Sequence, residues 1–362
     1  MQDLRHGDKF NEDSIMKKIT AFIAVCIGLT ACYEDFIFDY DYSAIYTMYQ
    51  YDLRTFIPEE EDLQLSFSVA LGGVIENERD RKVHVVLDND LLVSDLSKFD
   101  PTGETQFFTA LDGLKGNGKI GDISQSYVSN EFNAAGIASL VALPSSYYKL
   151  SSDGNLVIEK GNHTAKLRLT PTDEMFKDEK LLKPYYALAF RIDEADADKV
   201  LPEKSFQIMA VKVENTYYGN WYHGGKKVVV KDTDMSILSD EVYPFTLPQD
   251  DMKVYTLKTE GIHSVRTNKF SNATGELVLK FQENGNVIVE DPTGTRNIRP
   301  VNGQPSRVNG AKLLQDRKIF LNYAWSNGDG TSTYVTDTLY FRNRMRDGMS
   351  EWQDENPDHY TK

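Results

Sequence analysis

Three short stretches bring aromatic rings together with amides and carboxylates. "YYGNWYHGG" holds Tyr217, Tyr218, Trp221 and Tyr222; "NYAWSNGDG" holds Tyr323 and Trp325; "EWQDENPDHY" holds Trp352 and Tyr360. An aromatic ring stacks on the C–H face of a sugar while nearby Asn, Asp and Gln side chains bond its hydroxyls, so such mixtures suit a carbohydrate site. Tyr218, Trp221, Tyr222, Tyr323, Trp325 and Trp352 are therefore the candidate glycan-binding residues. The competing reading is that rings such as Trp221 and Trp325 fill a core or plug its end. Taken singly, each ring is better read as core. Taken as a group, the balance between an all-core set and one with an exposed sugar platform is even.

Other patterns fall short of a catalytic, cofactor or metal motif. "GNGKIG", residues 116–121, has the G-x-G-x-x-G spacing, which cradles a pyrophosphate only between a strand and a helix N-terminus. "DISQSYVSN" follows with no helical periodicity, so a loop is expected. "DEADADK", residues 193–199, alternates carboxylates as a calcium loop does, but Lys199 stands where Gly belongs and the distal Glu is missing. A solvated loop is expected there, and a hairpin loop at "NGDG", residues 327–330. The histidines beyond the leader are His84, His163, His223, His263 and His359. None has H-E-x-x-H spacing, and no G-x-S-x-G elbow occurs. Two carboxylates on distant strands could still form a glycosidase site. Two small β domains, however, leave no room for a recognisable hydrolase module. No catalytic residue, metal or cofactor is expected.

The elements that must position these side chains are strands. In "DLQLSFSVALGG", Leu63, Leu65, Phe67, Val69 and Leu71 alternate with polar or small residues; in "RKVHVVLDND", Val83, Val85 and Leu87 do so. "NLVIEKGNHTAKLRLTP" reads as two strands about a Gly161-Asn162 turn, and "KPYYALAFRIDEAD" alternates through Tyr186, Leu188, Phe190 and Ile192. "SFQIMAVKVEN" is apolar on both faces, as in a central strand. A second β-rich block begins near Tyr217. Its clearest hairpin is "GELVLKFQENGNVIVED", with Asn284-Gly285 supplying the positive-φ turn. Another runs out through Ile319, Leu321, Tyr323 and Trp325 and returns through Val335, Leu339 and Phe341. A short helix over 172–182, capped by Thr172 or Asp173, is the main helical signal. Residues 101–134 read as an insertion or long loop.

The chain has 362 residues, 40% hydrophobic and 26% charged, enough for two or three folded domains. Its formal charge is −15, and residues 1–31, with four basic and four acidic groups, leave that balance unchanged. Such an acidic protein repels phosphate backbones, so nucleic acid is excluded as a partner. The two cysteines, Cys26 and Cys32, build neither a zinc site nor a disulfide framework.

Met16-Lys17-Lys18 followed by the apolar run 19–31 has the charge and length of a secretory signal. It is shorter than the roughly 20 residues that span a bilayer. "LTAC", residues 29–32, resembles the bacterial lipobox. That resemblance implies cleavage before Cys32 and a diacylglyceryl group on its thiol; the alternative is a secreted protein with a coincidental Cys. Met1 to Ile15 is polar, and initiation at Met16 is expected. Glu34, Asp35, Asp39 and Asp41 loosely resemble the surface-export signal of Bacteroidetes lipoproteins.

"YQYDLRTF", "LGGVIENERDRKVHVVLD", "LPSSYYKLSSDGNLVIEKGNHTAKLRLT" and "YYALAFRI" resemble an N-terminal domain of unknown function in Bacteroidetes surface lipoproteins, also found ahead of some family-18 glycoside hydrolases. "ENTYYGNWYHGG" resembles the opening of its C-terminal partner. The resemblance implies an all-β chain, an immunoglobulin-like β-sandwich followed by a lipocalin-like antiparallel β-barrel. The expected division is a leader over 1–31, a lipidated acidic tether over 32–45, the sandwich over 46–214 and the barrel over 215–362. It implies a non-catalytic surface lipoprotein of a polysaccharide-utilisation system, binding glycan and held to outer-membrane lipid by an N-terminal acyl anchor. A second reading is a structural or adhesion protein that binds other envelope proteins, such as those of an outer-membrane transport complex. A glycoside hydrolase is the third.

Overall fold

The computed structural model describes residues 40–58, 63–92, 131–132, 134–137, 140–245 and 254–353. The leader, Cys32, Glu34, Asp35, Asp39, the 116–121 glycine motif, most of the 101–134 stretch, His359 and Tyr360 lie outside the described residues. The first eleven strands are β1 (Ala44–Thr47), β2 (Tyr51–Phe56), β3 (Leu65–Gly72), β4 (Arg81–Leu87), β5 (Val141–Ala142), β6 (Tyr148–Leu150), β7 (Asn155–Ile158), β8 (Thr164–Pro171), β9 (Tyr186–Ala195), β10 (Lys199–Val200) and β11 (Phe206–Val213). They form two sheets, ordered β10-β1-β3-β8-β6 and β2-β11-β9-β4-β7, with β5 on β9. Strand pairing thus begins at Ala44, inside the stretch read as tether, because the Ile45 side chain is fully buried.

Period-two alternation makes the sandwich. Leu65, Phe67, Val69 and Leu71 of β3 and Ala165, Leu167 and Leu169 of β8 face Val83, Val85, Leu188, Phe190 and Val211 of the other sheet. The Phe67 and Phe190 rings meet at 4.8 Å across the layer. Strand β11 is apolar on both faces because its sheet is covered twice. Beyond the main core, Leu53, Ala187, Ala189, Ile208 and Ala210 pack under Leu92, Phe132 and Leu140. The Gly161-Asn162 turn links strands as expected, but it is a corner between the two sheets rather than a hairpin: β7 pairs with β4 and β8 with β3. Asn77 holds it, its Nδ2 donating to the Glu159 and Asn162 carbonyls, each at 3.0 Å.

The expected helix over 172–182 is instead two 3-10 turns, Met175–Lys177 and Glu179–Leu182. The cap is Asp178, whose carboxylate accepts from the Lys180 amide at 2.9 Å; Thr172 spends its hydroxyl on the Ser146 carbonyl. The Asp178 side chain also accepts from the phenols of Tyr147 and Tyr186, which ties the segment down before a longer helix can form.

The remaining strands are β12 (Gly219–Lys231), β13 (Ile237–Tyr243), β14 (Tyr255–Gly261), β15 (Ser264–Phe270), β16 (Ala273–Phe281), β17 (Val287–Glu290), β18 (Arg299–Pro300), β19 (Arg307–Val308), β20 (Lys318–Ser326), β21 (Thr331–Arg346) and β22 (Met349–Glu351). Their order is β17-β16-β15-β14-β12-β21-β20, with β18 and β19 on β20, β13 on β12 and β22 on β21. The open edges are stitched by the Val287 amide donating to the Ser306 carbonyl and the Val308 amide donating to Gly285, at 2.8 and 2.9 Å. The sheet thereby curls into a nearly closed antiparallel barrel, which removes most of its free edge. The chain is all-β, a sandwich followed by a barrel.

Candidate functional site

Strand parity decides where each candidate ring goes. Trp221 on β12 and Tyr323 and Trp325 on β20 take the inward parity, so all three are buried in the barrel core. Trp221 donates Nε1–H to the Tyr217 carbonyl at 3.1 Å and meets Phe341 edge-on. Trp325 packs on Phe270, and the Tyr323 hydroxyl accepts from the Ser271 amide. Tyr218 is buried too; its hydroxyl donates to the Met345 carbonyl, and burial pushes the phenol far above its ordinary value. The expectation of sugar platforms at Tyr218, Trp221, Tyr323 and Trp325 is corrected, because no ring face among them reaches solvent. Tyr222 takes the outward parity and is half-buried beside Phe245 and Arg342. Trp352 is 60% exposed.

Trp352 is presented by a hairpin that the sequence reasoning passed over. Strands β21 and β22 are joined by Asp347-Gly348 alone, with Arg346 opposite Met349. Both turn residues have positive φ, +50° and +80°, the type I′ geometry for which Asp-Gly is a preferred pair. "RDGMSEW" carried that signal in plain sight. The hairpin tip reaches the sandwich. Arg346 donates Nη2–H to the Thr55 carbonyl at 3.1 Å, and Arg54 Nη1 lies 3.9 Å from Asp347 Oδ2.

Between this hairpin and the outer face of β3 and β8 lies an open cleft of about 670 Å³. Its sandwich wall is Gln64, Ser66, Ser68 and Lys166, and Trp352 stands on the barrel side. Ser66 and Ser68 are the outward positions alternating with core Leu65, Phe67 and Val69, and Ser68 sits opposite Lys166. The deeper groups are charged. Arg54 pairs with Asp52 at 2.7 Å, Arg344 with Glu351, and Arg346 with Glu351 at 3.8 Å. Burial pushes the Asp347 carboxyl up to about 6, against the downward pull of Arg54 and Arg346, and burial also raises Asp52. A ring face, three neutral hydrogen-bonding side chains and fixed charges therefore converge on one opening.

A second polar cluster lies at one end of the barrel and was also missed. Asp337 is fully buried, with His223 Nε2 3.3 Å away and the Tyr243 hydroxyl donating to it at 2.6 Å. Tyr243 also contacts the Ser271 hydroxyl at 2.8 Å, and Tyr255 donates to the Ser271 carbonyl. A cavity of about 500 Å³ adjoins it, lined by Glu241, Lys269 and Asn272 among others. The available signal was parity: Asp337 sits between inward Val335 and Leu339. Three of the four carboxylates of 193–199 are engaged by other side or main chains, Asp193 by Arg191, Asp196 by Arg79 and Asp198 by Ser43. Among the described residues no three His, Cys, Asp or Glu side chains gather as a metal site.

The architecture is shared with a protein of unknown function from Bacteroides ovatus. That structure is 18% identical, with a TM-score of 0.57 over 88% of this chain and 99% of its own. At this identity the likeness shows the fold alone. Looser likenesses are to a multidomain protein including DUF1735 from the same species, at 10% identity and TM-score 0.37 over 86% of this chain and 100% of its own, and to an auxiliary nutrient binding protein from Bacteroides thetaiotaomicron VPI-5482. The latter is 14% identical, with a TM-score of 0.36 over 83% of this chain and 96% of its own. No family model matches the sequence, and no curated protein does.

Proposed function

We propose that the chain is a non-catalytic carbohydrate-binding protein whose site is the cleft between sandwich and barrel. One observation carries this reading: of the candidate rings, Trp352 alone is strongly exposed, and it stands at a cleft walled by hydroxyl, amide and charged side chains. The ring supplies the stacking face and Gln64, Ser66 and Ser68 supply hydroxyl partners. The residue types in the cleft also suit binding without chemistry, since its two carboxylates are engaged by arginines rather than facing each other across open space. The two domains are taken as 46–214 and 215–362, and the whole is proposed to be a lipoprotein anchored through Cys32 in the outer membrane, facing outward. The lipobox-like 29–32 stretch and the acidic residues after it support that placement. In gels containing a recognised polysaccharide the protein migrates more slowly, and Trp352→Ala restores free migration without lowering the unfolding temperature. Absence of retardation across a broad polysaccharide panel, with folded protein, overturns the reading. Lipid labelling lost on Cys32→Ala tests the anchor, and whole-cell protease accessibility of Glu34→Ala/Asp35→Ala tests the facing.

A second reading, binding to other envelope proteins, draws on β13. That strand pairs with β12, and its Ile237, Leu238 and Val242 side chains are all exposed. An exposed strand edge with apolar side chains is a ready surface for another chain. Pull-down from solubilised envelopes separates the readings; recovery of the protein by itself ends this one.

A further inference from the structure

We propose that the cleft selects acidic saccharides, sugars carrying a carboxylate or a sulfate, over neutral ones. The inference rests on the carbohydrate reading above and narrows it. The chain as a whole carries −15, yet among the described residues the cleft lining holds four cations, Arg54, Lys166, Arg344 and Arg346, against two carboxylates, Asp347 and Glu351. Asp52 pairs with Arg54 at 2.7 Å, which leaves Lys166 as the lining cation with no ion pair among the described residues. A cation presented at a concave surface attracts ligands of the complementary charge.

The arginines are largely matched locally: Glu351 pairs with Arg344 and Arg346, and Asp347 lies beside Arg54. Lys166 is different. It is exposed on the outer face of β8, opposite Ser68, and has no ion pair among the described residues. Arg168 follows two residues along the same strand face, opposite Ser66, and is also exposed. The arrangement reads as a division of labour across one sugar unit. Trp352 takes the ring face, Ser66, Ser68 and Gln64 take hydroxyls, and the Lys166 ammonium takes the acid group.

Calorimetry on the intact protein tests this with oligogalacturonides as the carboxylate arm, chondroitin sulfate oligosaccharides as the sulfate arm, and maltoheptaose and xylohexaose as neutral arms. At least one acidic arm is expected to bind about tenfold or more tighter than either neutral arm. That affinity is expected to fall several-fold between about 20 and about 200 mM salt, as a screened charge contact must. Lys166→Gln lowers acidic binding several-fold with the unfolding temperature unchanged, and Trp352→Ala removes binding in every arm. Neutral binding equal to acidic, or acidic binding indifferent to both salt and Lys166→Gln, overturns the acidic preference and leaves the carbohydrate reading standing. No heat in any arm from folded protein overturns both.

Discussion

The barrel interior and the cleft beside it hold the same kinds of side chain in opposite states. Inside, Trp221, Tyr255, Tyr323 and Trp325 belong to one buried core, and polar atoms of the first three bond the Tyr217 and Ser271 carbonyls and the Ser271 amide. In the cleft, Trp352 shows its ring to solvent beside hydroxyls and charges. Composition does not separate these cases. Position does: Trp325 lies on a long strand at an inward register, whereas Trp352 follows a three-residue strand that, among the described residues, pairs with β21 alone. An aromatic residue amid amides is thus a core residue or a platform according to the strand that carries it.

Four substitutions break or sharpen this contrast. Trp221→Ala empties the centre of the barrel and is expected to cost about 3–5 kcal/mol of stability, read by thermal or urea unfolding. A change below about 1 kcal/mol would mean that the interior is less tightly filled than its burial implies. Asp347→Asn comes next and acts through pH. The Asp347 carboxyl is raised from 3.8 to about 6 in the folded protein, so its stabilising contribution is complete below pH 3.8 and is lost as pH rises through about 6. Asn keeps the positive-φ turn and cannot ionise. The variant is expected to be more stable than the parent above pH 6, by at most about 3 kcal/mol, and to show a flatter stability profile between pH 4 and 7. An unchanged profile would place the titration elsewhere, Asp52 being the neighbour raised in the same sense.

Arg346→Ala removes the bond to the Thr55 carbonyl and the contact with Glu351, and is expected to cost about 1–2 kcal/mol, with loss of carbohydrate binding as the walls separate. Trp352→Ala is the smallest in stability, within about 0.5 kcal/mol of the parent. It is the largest in binding, which inverts the order set by Trp221. If Trp352→Ala destabilised the protein as Trp221→Ala does, the two regions would not differ in kind.

Much of the strand framework was legible because alternation reports burial directly: β3, β8, β20 and β21 carry their inward residues where period two puts them. Pairing partners were not legible. Sequence neighbours β7 and β8 belong to different sheets, and only the corner held by Asn77 reveals it. The site was half legible. Trp352 stood out by type, but its partners Ser66, Ser68 and Lys166 lie far away in sequence and became a wall only when β3 and β8 paired. Asp347-Gly348 was readable as a turn and was overlooked among longer alternations nearby.

One bond between hairpin and sandwich, from Arg346, ends on a main-chain oxygen. Every residue type offers that same carbonyl at position 55, so Thr55 can be exchanged without altering the acceptor, whereas the donor is the long, forked guanidinium of Arg346. Mutational tolerance at this joint is therefore lopsided. At this one bond the barrel supplies the side chain and the sandwich only its backbone, whereas the neighbouring Arg54–Asp347 contact asks a side chain of each.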